Sequence, residues 1–195
     1  HLNDIVKKVI KPGGILLDIG SNDGTLLDIA EQNGMEVWGV EPSDALKDAP
    51  FNIKEKTVNM FFGSSECDQF FQKKKVKFDV ITAISMFYDV SEPLKFIEKA
   101  RDLLTPDGLI LIEVNYAKSF FERQNVDMLG QEHLIYYFIE TFDDLISKAN
   151  LFINDAYLTD MNGGNITFII SRMDKKSRKY LSLANQEKSW METFN

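Results

Sequence analysis

The sequence predicts an α/β domain: a mostly parallel sheet covered by helices on both faces and closed by an antiparallel hairpin. Three observations predict it. Short apolar runs at Ile15–Leu17, Phe78–Ser85 and Leu109–Val114 alternate with stretches of helical periodicity. A repeat of strand and helix at roughly 20 to 30 residues is the rhythm of a parallel sheet buried on both faces. The first of these runs stops at a glycine turn, Gly20 to Gly24, and restarts as a helix. Near the end, Met161-Asn162-Gly163-Gly164-Asn165 separates two β-prone runs, and Asn-Gly between such runs is the strongest short hairpin signal.

Composition bounds the class. A chain of 195 residues, 44% hydrophobic and 27% charged, is expected to fold as one globular domain over 1–195 with a full core. A net charge of −8 argues against a phosphate-backbone partner, so no nucleic acid is expected. The single cysteine, Cys67, excludes an intrachain disulfide and a cysteine zinc cluster, and no metal site is expected. Cys67 itself reads as a buried thiol. No apolar run reaches the roughly 18 residues of a membrane span. No signal-peptide pattern is read, so a cytoplasmic location is expected. Nothing in the sequence speaks to an oligomeric state.

The elements follow in order. Leu2, Ile5, Val6, Val9 and Ile10 recur at helical spacing, and Lys11-Pro12-Gly13-Gly14 ends that helix. After the first strand, Leu26, Leu27, Ile29 and Ala30 mark a helix that stops near Asn33-Gly34. Met35–Val40 reads as the second strand, and Ser43–Asp48 as a short helix. Phe51–Val58 alternates weakly and is assigned as the third strand. In 59–71 the aromatics Phe61, Phe62, Phe70 and Phe71 are expected in the core, and Lys73–Lys75 as a solvated turn. Pro93 opens a helix to Leu104, and Thr105-Pro106-Asp107-Gly108 reads as a turn. Thr141 is expected to cap a helix running to Ala149-Asn150. Leu151–Asp160 and Ile166–Ile170 form the hairpin, and 174–195 a polar helical extension packed outside the core.

The glycine turn is the expected ligand site. Asp18 ends the first strand, Gly20 and Gly24 remove two Cβ atoms so that a ligand can approach, and Glu41 ends the second strand. Open α/β sheets bind ligands at the carboxyl ends of their strands, and an acid about twenty residues beyond the turn is placed to meet a ribose diol. Dinucleotide sites favour G-x-G-x-x-G, with amides facing a pyrophosphate. Here Asn22 stands at the middle-glycine position with Asp23 beside it, which suits a cationic ligand better.

Asp18, Gly20 and Gly24 resemble motif I of class I S-adenosylmethionine-dependent methyltransferases, D/E-x-G-x-x-x-G. Four blocks make the resemblance narrower. They are Asp18–Gly24, Ile84–Val90, Gln131-Glu132-His133-Leu134 with Tyr136-Tyr137, and Asn162-Gly163-Gly164. Together they resemble the sugar C-methyltransferase family over about Ile15 to Arg172. That resemblance implies a three-layer Rossmann-like methyltransferase fold with a seven-stranded sheet ordered 3-2-1-4-5-7-6. It implies S-adenosyl-L-methionine as cofactor and a small-molecule acceptor, a nucleotide-linked keto-deoxysugar, methylated beside its keto group. By position along the rim, Ser21, Asn22 and Thr25 would meet the adenosyl part, Glu41 the ribose and Pro42 the adenine. Ile84 and Ser85 would lie beside the sulfur end, and Asp18 would support the loop or the amino group.

A carbon beside a ketone must lose a proton before it can attack a methyl group, and a neutral imidazole is a suitable base near pH 7. His133 is the expected base, Glu132 its orienting partner or a sugar ligand, and Tyr136 or Tyr137 the donor to the enolate oxygen. The chain departs from the family at Gln131, where histidine is usual, and it lacks the four-cysteine zinc domain and most of a carboxyl-terminal domain. It therefore reads as a piece of such a protein or as a minimal relative with a smaller acceptor. A catalytically silent S-adenosylmethionine-binding module and an NAD-dependent oxidoreductase are the competing readings.

Overall fold

The computed structural model describes residues 5, 7, 8, 11–124, 133–160 and 163–194. Its strands are β1 (Ile15–Ile19), β2 (Glu36–Val40), β3 (Thr57–Val58), β4 (Phe78–Ile84), β5 (Leu104–Asn115), β6 (Phe152–Thr159) and β7 (Asn165–Ser171). They form one seven-stranded sheet in the order β3-β2-β1-β4-β5-β7-β6. Helices cover both sides, which is the three-layer arrangement that the resemblance implies. No helix among the described residues is long and apolar enough to cross a membrane. The expected amino-terminal helix falls largely outside the described residues; residues 5, 7 and 8 are helical and Ile5 is buried. The chain packs as two compact units, His1–Ala83 with Lys99–Ile110 and Ile84–Glu98 with Leu111–Asn195.

In the first unit, β1 pairs in parallel with β2 and with β4, so Ile19 lies opposite Val40 and Asp18 opposite Thr82. Parallel pairing brings the ends of all three strands to one edge. Helix α1 (Thr25–Gln32) buries Leu26, Leu27 and Ala30 on one stripe. The expected third strand is corrected. Pro50, with its fixed φ, opens a one-turn helix α2 (Phe51–Lys54) that buries Ile53, and only Thr57–Val58 pairs with β2. Helix α3 (Ser65–Lys74) is capped by Ser64, whose hydroxyl accepts the Cys67 N–H at 3.2 Å, and Cys67 is buried. The aromatics of 59–71 divide. Phe71 is buried, Phe70 meets Trp38 edge-on, and Phe61 is 72% exposed.

The turn expected at 105–108 is also corrected. Helix α4 (Pro93–Leu103) leads directly into β5, and these four residues are extended. A Cβ on Gly108 would lie 2.9 Å from the Phe78 carbonyl oxygen. Glycine is needed there for close strand approach and not for a reversal.

In the second unit, helices α5 (Ala117–Arg123), α6 (Ile139–Lys148) and α7 (Arg178–Glu192) accompany the antiparallel β6–β7 pair, in which Thr159 faces Asn165. Phe142 on α6 stacks on Phe168 of β7 with ring centroids 4.3 Å apart. Helix α6 begins two residues before Thr141. The Thr141 hydroxyl instead bonds back to the Phe138 backbone, accepting its N–H at 3.2 Å and donating to its carbonyl at 3.0 Å. The first-turn amides of Ile139 and Glu140 donate to the Glu187 carboxylate, at 2.9 and 3.2 Å. A buried anion on α7 therefore caps α6. With Glu187 and Tyr180 both buried, α7 is part of this unit's core and not a peripheral extension.

Candidate functional site

In the first unit the site is built on the loop after β1. The Gly20 and Ser21 amides both donate to the Val40 carbonyl, at 2.8 and 3.3 Å, which ties the loop to the end of β2. Gly20 and Asn22 then take left-handed backbone angles, φ 74° and 51°. This turns the Asn22 amide onto Glu41 Oε2 at 2.8 Å, while the Ser43 amide donates to Oε1 at 2.7 Å. One carboxylate thus braces two loops, and the Asn59 side chain holds the Glu41 carbonyl at 2.8 Å. Each Glu41 oxygen retains a second lone pair.

Gly24 has φ 76°, and a Cβ there would lie 2.5 Å from the Ile53 side chain. The glycine lets the loop pack on α2. Asp23 is exposed and accepts both the N–H and the hydroxyl of Thr25, at 3.1 and 2.8 Å, which ties the loop to the first residue of α1.

The acids line this edge with less charge than the sequence suggests. Asp18 is only 3% exposed and accepts the Thr82 hydroxyl at 2.6 Å. Burial pushes its carboxyl up to about 7; the Thr82 bond opposes the shift and the Glu41 charge adds to it. Near neutral pH Asp18 is therefore partly protonated. Glu41 is buried too, and of the three only Asp23 stands in solvent. Ser21 adds a buried hydroxyl without a hydrogen-bond partner, and Pro42 is half-buried beside Glu41.

The second unit holds a separate polar group. Ile84 ends β4, and Ser85 adopts φ 53°, an uncommon angle for a residue with a side chain. It is held there by Glu113, whose carbonyl accepts the Ser85 amide at 3.2 Å and whose Oε1 accepts the hydroxyl at 3.0 Å. The buried Glu113 carboxylate also accepts Asn165 Nδ2 at 3.2 Å and the Thr167 hydroxyl at 3.0 Å. Two residues on, and so on the same face of β5, Asn115 places Nδ2 3.1 Å from His133 Nδ1. The Tyr136 hydroxyl lies 3.5 Å from the same nitrogen, and the Tyr88 ring packs against the imidazole at 4.3 Å. The Leu134 and Ile135 amides, both donating to the Tyr88 carbonyl, anchor the segment.

The two tyrosines proposed as enolate donors separate here. Tyr136 is beside His133, whereas Tyr137 packs between Phe87 and Phe142, and burial raises its phenol above the usual range. Glu132, Gln131 and Asn162 lie outside the described residues. Sequence reasoning missed Thr82, Glu113 and Asn115 as site residues. The available signal was two polar residues at alternate positions in the apolar run Ile110–Asn115.

Residues 2–155 match a family model described as a methyltransferase domain. The chain belongs to this family. With its sheet order it is a class I S-adenosylmethionine-dependent methyltransferase domain. The methyltransferase is 24% identical over 154 residues to the C-methyltransferase NovU of Streptomyces niveus, covering 79% of this chain and 36% of that protein. It is 29% identical over 125 residues to a ubiquinone biosynthesis O-methyltransferase of Histophilus somni, covering 62% of this chain and 52% of that one. It thus spans about a third to a half of these relatives. Among solved structures it superposes on magnesium protoporphyrin IX methyltransferase from Synechocystis with TM-score 0.66 and 13% identity, covering 88% and 81% of the two chains. That likeness supports the fold.

The loop residues fit the family's methyl donor. An unpartnered buried hydroxyl on Ser21 and spare lone pairs on Glu41 are complementary to a nucleoside bearing hydroxyl groups.

Proposed function

We propose that this methyltransferase C-methylates a small carbohydrate-derived acceptor, a nucleotide-linked keto-deoxysugar, with residues 1–195 acting as one catalytic domain in the cytoplasm. Ser21, Asn22 and Thr25 would hold the adenosyl part of S-adenosyl-L-methionine, Glu41 the ribose, and Pro42 the adenine. Ile84 and Ser85 would face the sulfur end. Asp18, bonded to Thr82 beneath the loop, would support it from within. When bound, the cofactor supplies an electrophilic methyl group on a sulfonium.

The observation that carries the reading is the half-buried His133 imidazole. Its Nδ1 is engaged by Asn115 and Tyr136, and among the described residues nothing engages Nε2. With its one proton on Nδ1, the ring can accept a proton at Nε2 from the carbon beside a ketone. The C–H electron pair would pass into an enolate, whose carbon would take the methyl group while the methyl–sulfur bond pair stays on sulfur, leaving a neutral thioether. Tyr136 is placed to donate to the enolate oxygen. Glu132 keeps its expected role as the partner of His133 or of a sugar hydroxyl. The NovU match, a C-methyltransferase, supports carbon as the methylated atom.

Two measurements test the proposal. Calorimetry with S-adenosylhomocysteine and NAD in parallel should show binding of the first alone. A methyl-release assay over keto-sugar nucleotides should find turnover that His133→Ala abolishes while leaving S-adenosylhomocysteine affinity unchanged. Equal turnover in the variant and the wild type would remove His133 from the chemistry.

A further inference from the structure

We propose that Asn115 is a positioning residue that fixes the tautomer of His133, turning its carbonyl oxygen to Nδ1 so that Nδ1 carries the proton and Nε2 is bare. The inference rests on the reading of His133 as the base and adds the group that makes it one.

The geometry poses the question directly. The Asn115 side chain is 2% exposed, and one end of its amide lies 3.1 Å from His133 Nδ1. The two ends of an amide have the same shape, so the same positions serve either orientation. With Nδ2 toward the ring, the amide donates to Nδ1. The single proton of neutral imidazole then sits on Nε2, and His133 can give a hydrogen bond there but cannot take a proton. The end of the amide away from the ring is buried, and the oxygen there has no hydrogen-bond partner; turning the amide puts the NH2 group at that end, so the orphan does not by itself choose between the orientations.

With the amide turned, Oδ1 accepts Nδ1–H and the Nε2 lone pair is open. The gain is larger once the ring has taken its proton. Imidazolium carries N–H on both nitrogens, and its Nδ1–H then donates a charge-assisted bond to the carbonyl. In the first orientation the same N–H would point at an amide N–H. The Tyr136 hydroxyl, the other polar group at Nδ1 among the described residues, stands farther off at 3.5 Å and can donate or accept. The Tyr88 ring lies against the imidazole at an interplanar angle of 56°. The choice therefore falls to Asn115. The backbone fixes its place: β5 sets residues 113 and 115 on one face, and Glu113 holds that end of the strand to Ser85, Asn165 and Thr167.

The test reads the proton directly and needs no acceptor. The chain has two histidines, His1 and His133, so long-range 1H–15N correlations of the imidazole rings in 15N-labelled protein are assignable by comparison with His133→Gln. Spectra are recorded at about pH 8.5, well above the roughly 6.5 of a free imidazole. Wild type is expected to show a protonated Nδ1 and a bare Nε2. Asn115→Asp, which offers only acceptors, should keep that pattern. Asn115→Leu should move the ring toward the Nε2–H form that free histidine favours. A wild-type ring protonated at Nε2, or a folded Asn115→Leu variant that keeps the proton on Nδ1, overturns the proposal. The wild-type spectrum decides even if the leucine variant does not fold. Titration of the same samples with S-adenosylhomocysteine reports on the methyltransferase reading separately, because cofactor binding does not depend on which ring nitrogen is protonated.

Discussion

The loop of the first unit and the β5 cluster of the second both centre on a buried glutamate, yet the two carboxylates bond to different partners. Glu41 accepts backbone amides from Asn22 and Ser43, residues near it in a loop or directly after it. Glu113 accepts side chains from Ser85, Asn165 and Thr167, residues brought to it from the end of β4 and from β7. The first carboxylate sets the course of the main chain, so its surroundings tolerate many side chains as long as the backbone can follow. The second holds side chains in register, so any change in one partner leaves another unsatisfied.

The largest expected way to sharpen this contrast is a pH dependence rooted in the first unit. Asp18 titrates near 7 in the folded chain against 3.8 for an ordinary carboxyl, chiefly because it is buried. Between those values the folded state holds more protons than the unfolded one. Asp18 therefore contributes stability in full below about pH 4, and that contribution is lost as pH rises toward 7, by at most about 1.4 kcal/mol per pH unit. Urea unfolding from pH 4 to 8 should give a wild-type curve that falls relative to Asp18→Asn over this window. Parallel curves would show that Asp18 is not protonated in the folded state.

Next in size is Glu113→Leu. It strands the Asn165 amide and the Ser85 and Thr167 hydroxyls, and should cost about 2–4 kcal/mol in urea unfolding. Affinity for S-adenosylhomocysteine per folded molecule would show whether the damage stays in its own unit. Gly24→Ala should cost about 2–3 kcal/mol, from a left-handed backbone and a Cβ driven into Ile53. A thermal shift within error of wild type would contradict that packing. Glu41→Ala should weaken S-adenosylhomocysteine by about 1.5–3 kcal/mol, the value of hydrogen bonds to a charged group. No measurable loss of affinity would count against the ribose contact.

How far the molecule was legible follows the same division. The strand-turn-helix at Ile15–Gln32, the parallel runs and the Asn-Gly hairpin were readable because each is signalled within a short window of sequence. The short helix at Phe51–Lys54 was read as a strand because Phe51 and Ile53 alternate. Pro50, which starts the helix, carried the better signal. The Thr105–Gly108 stretch contains turn residues, yet Gly108 serves contact with Phe78, a neighbour far away in sequence. Thr141 looked like a cap because no local feature announces Glu187, 46 residues later, as the real one.

By itself the sequence determined the class, the parallel strands and the strand-turn-helix at the first strand's end, since strand periodicity and glycine spacing are local properties of the backbone. Only the tertiary structure decided that Asp18 is buried and held by Thr82, that Gly24 clears Ile53, and that Asn115 and not a charged residue meets His133. Those facts depend on burial and on which side chains a folded sheet brings together across long separations, and neither is encoded in any short stretch of the chain.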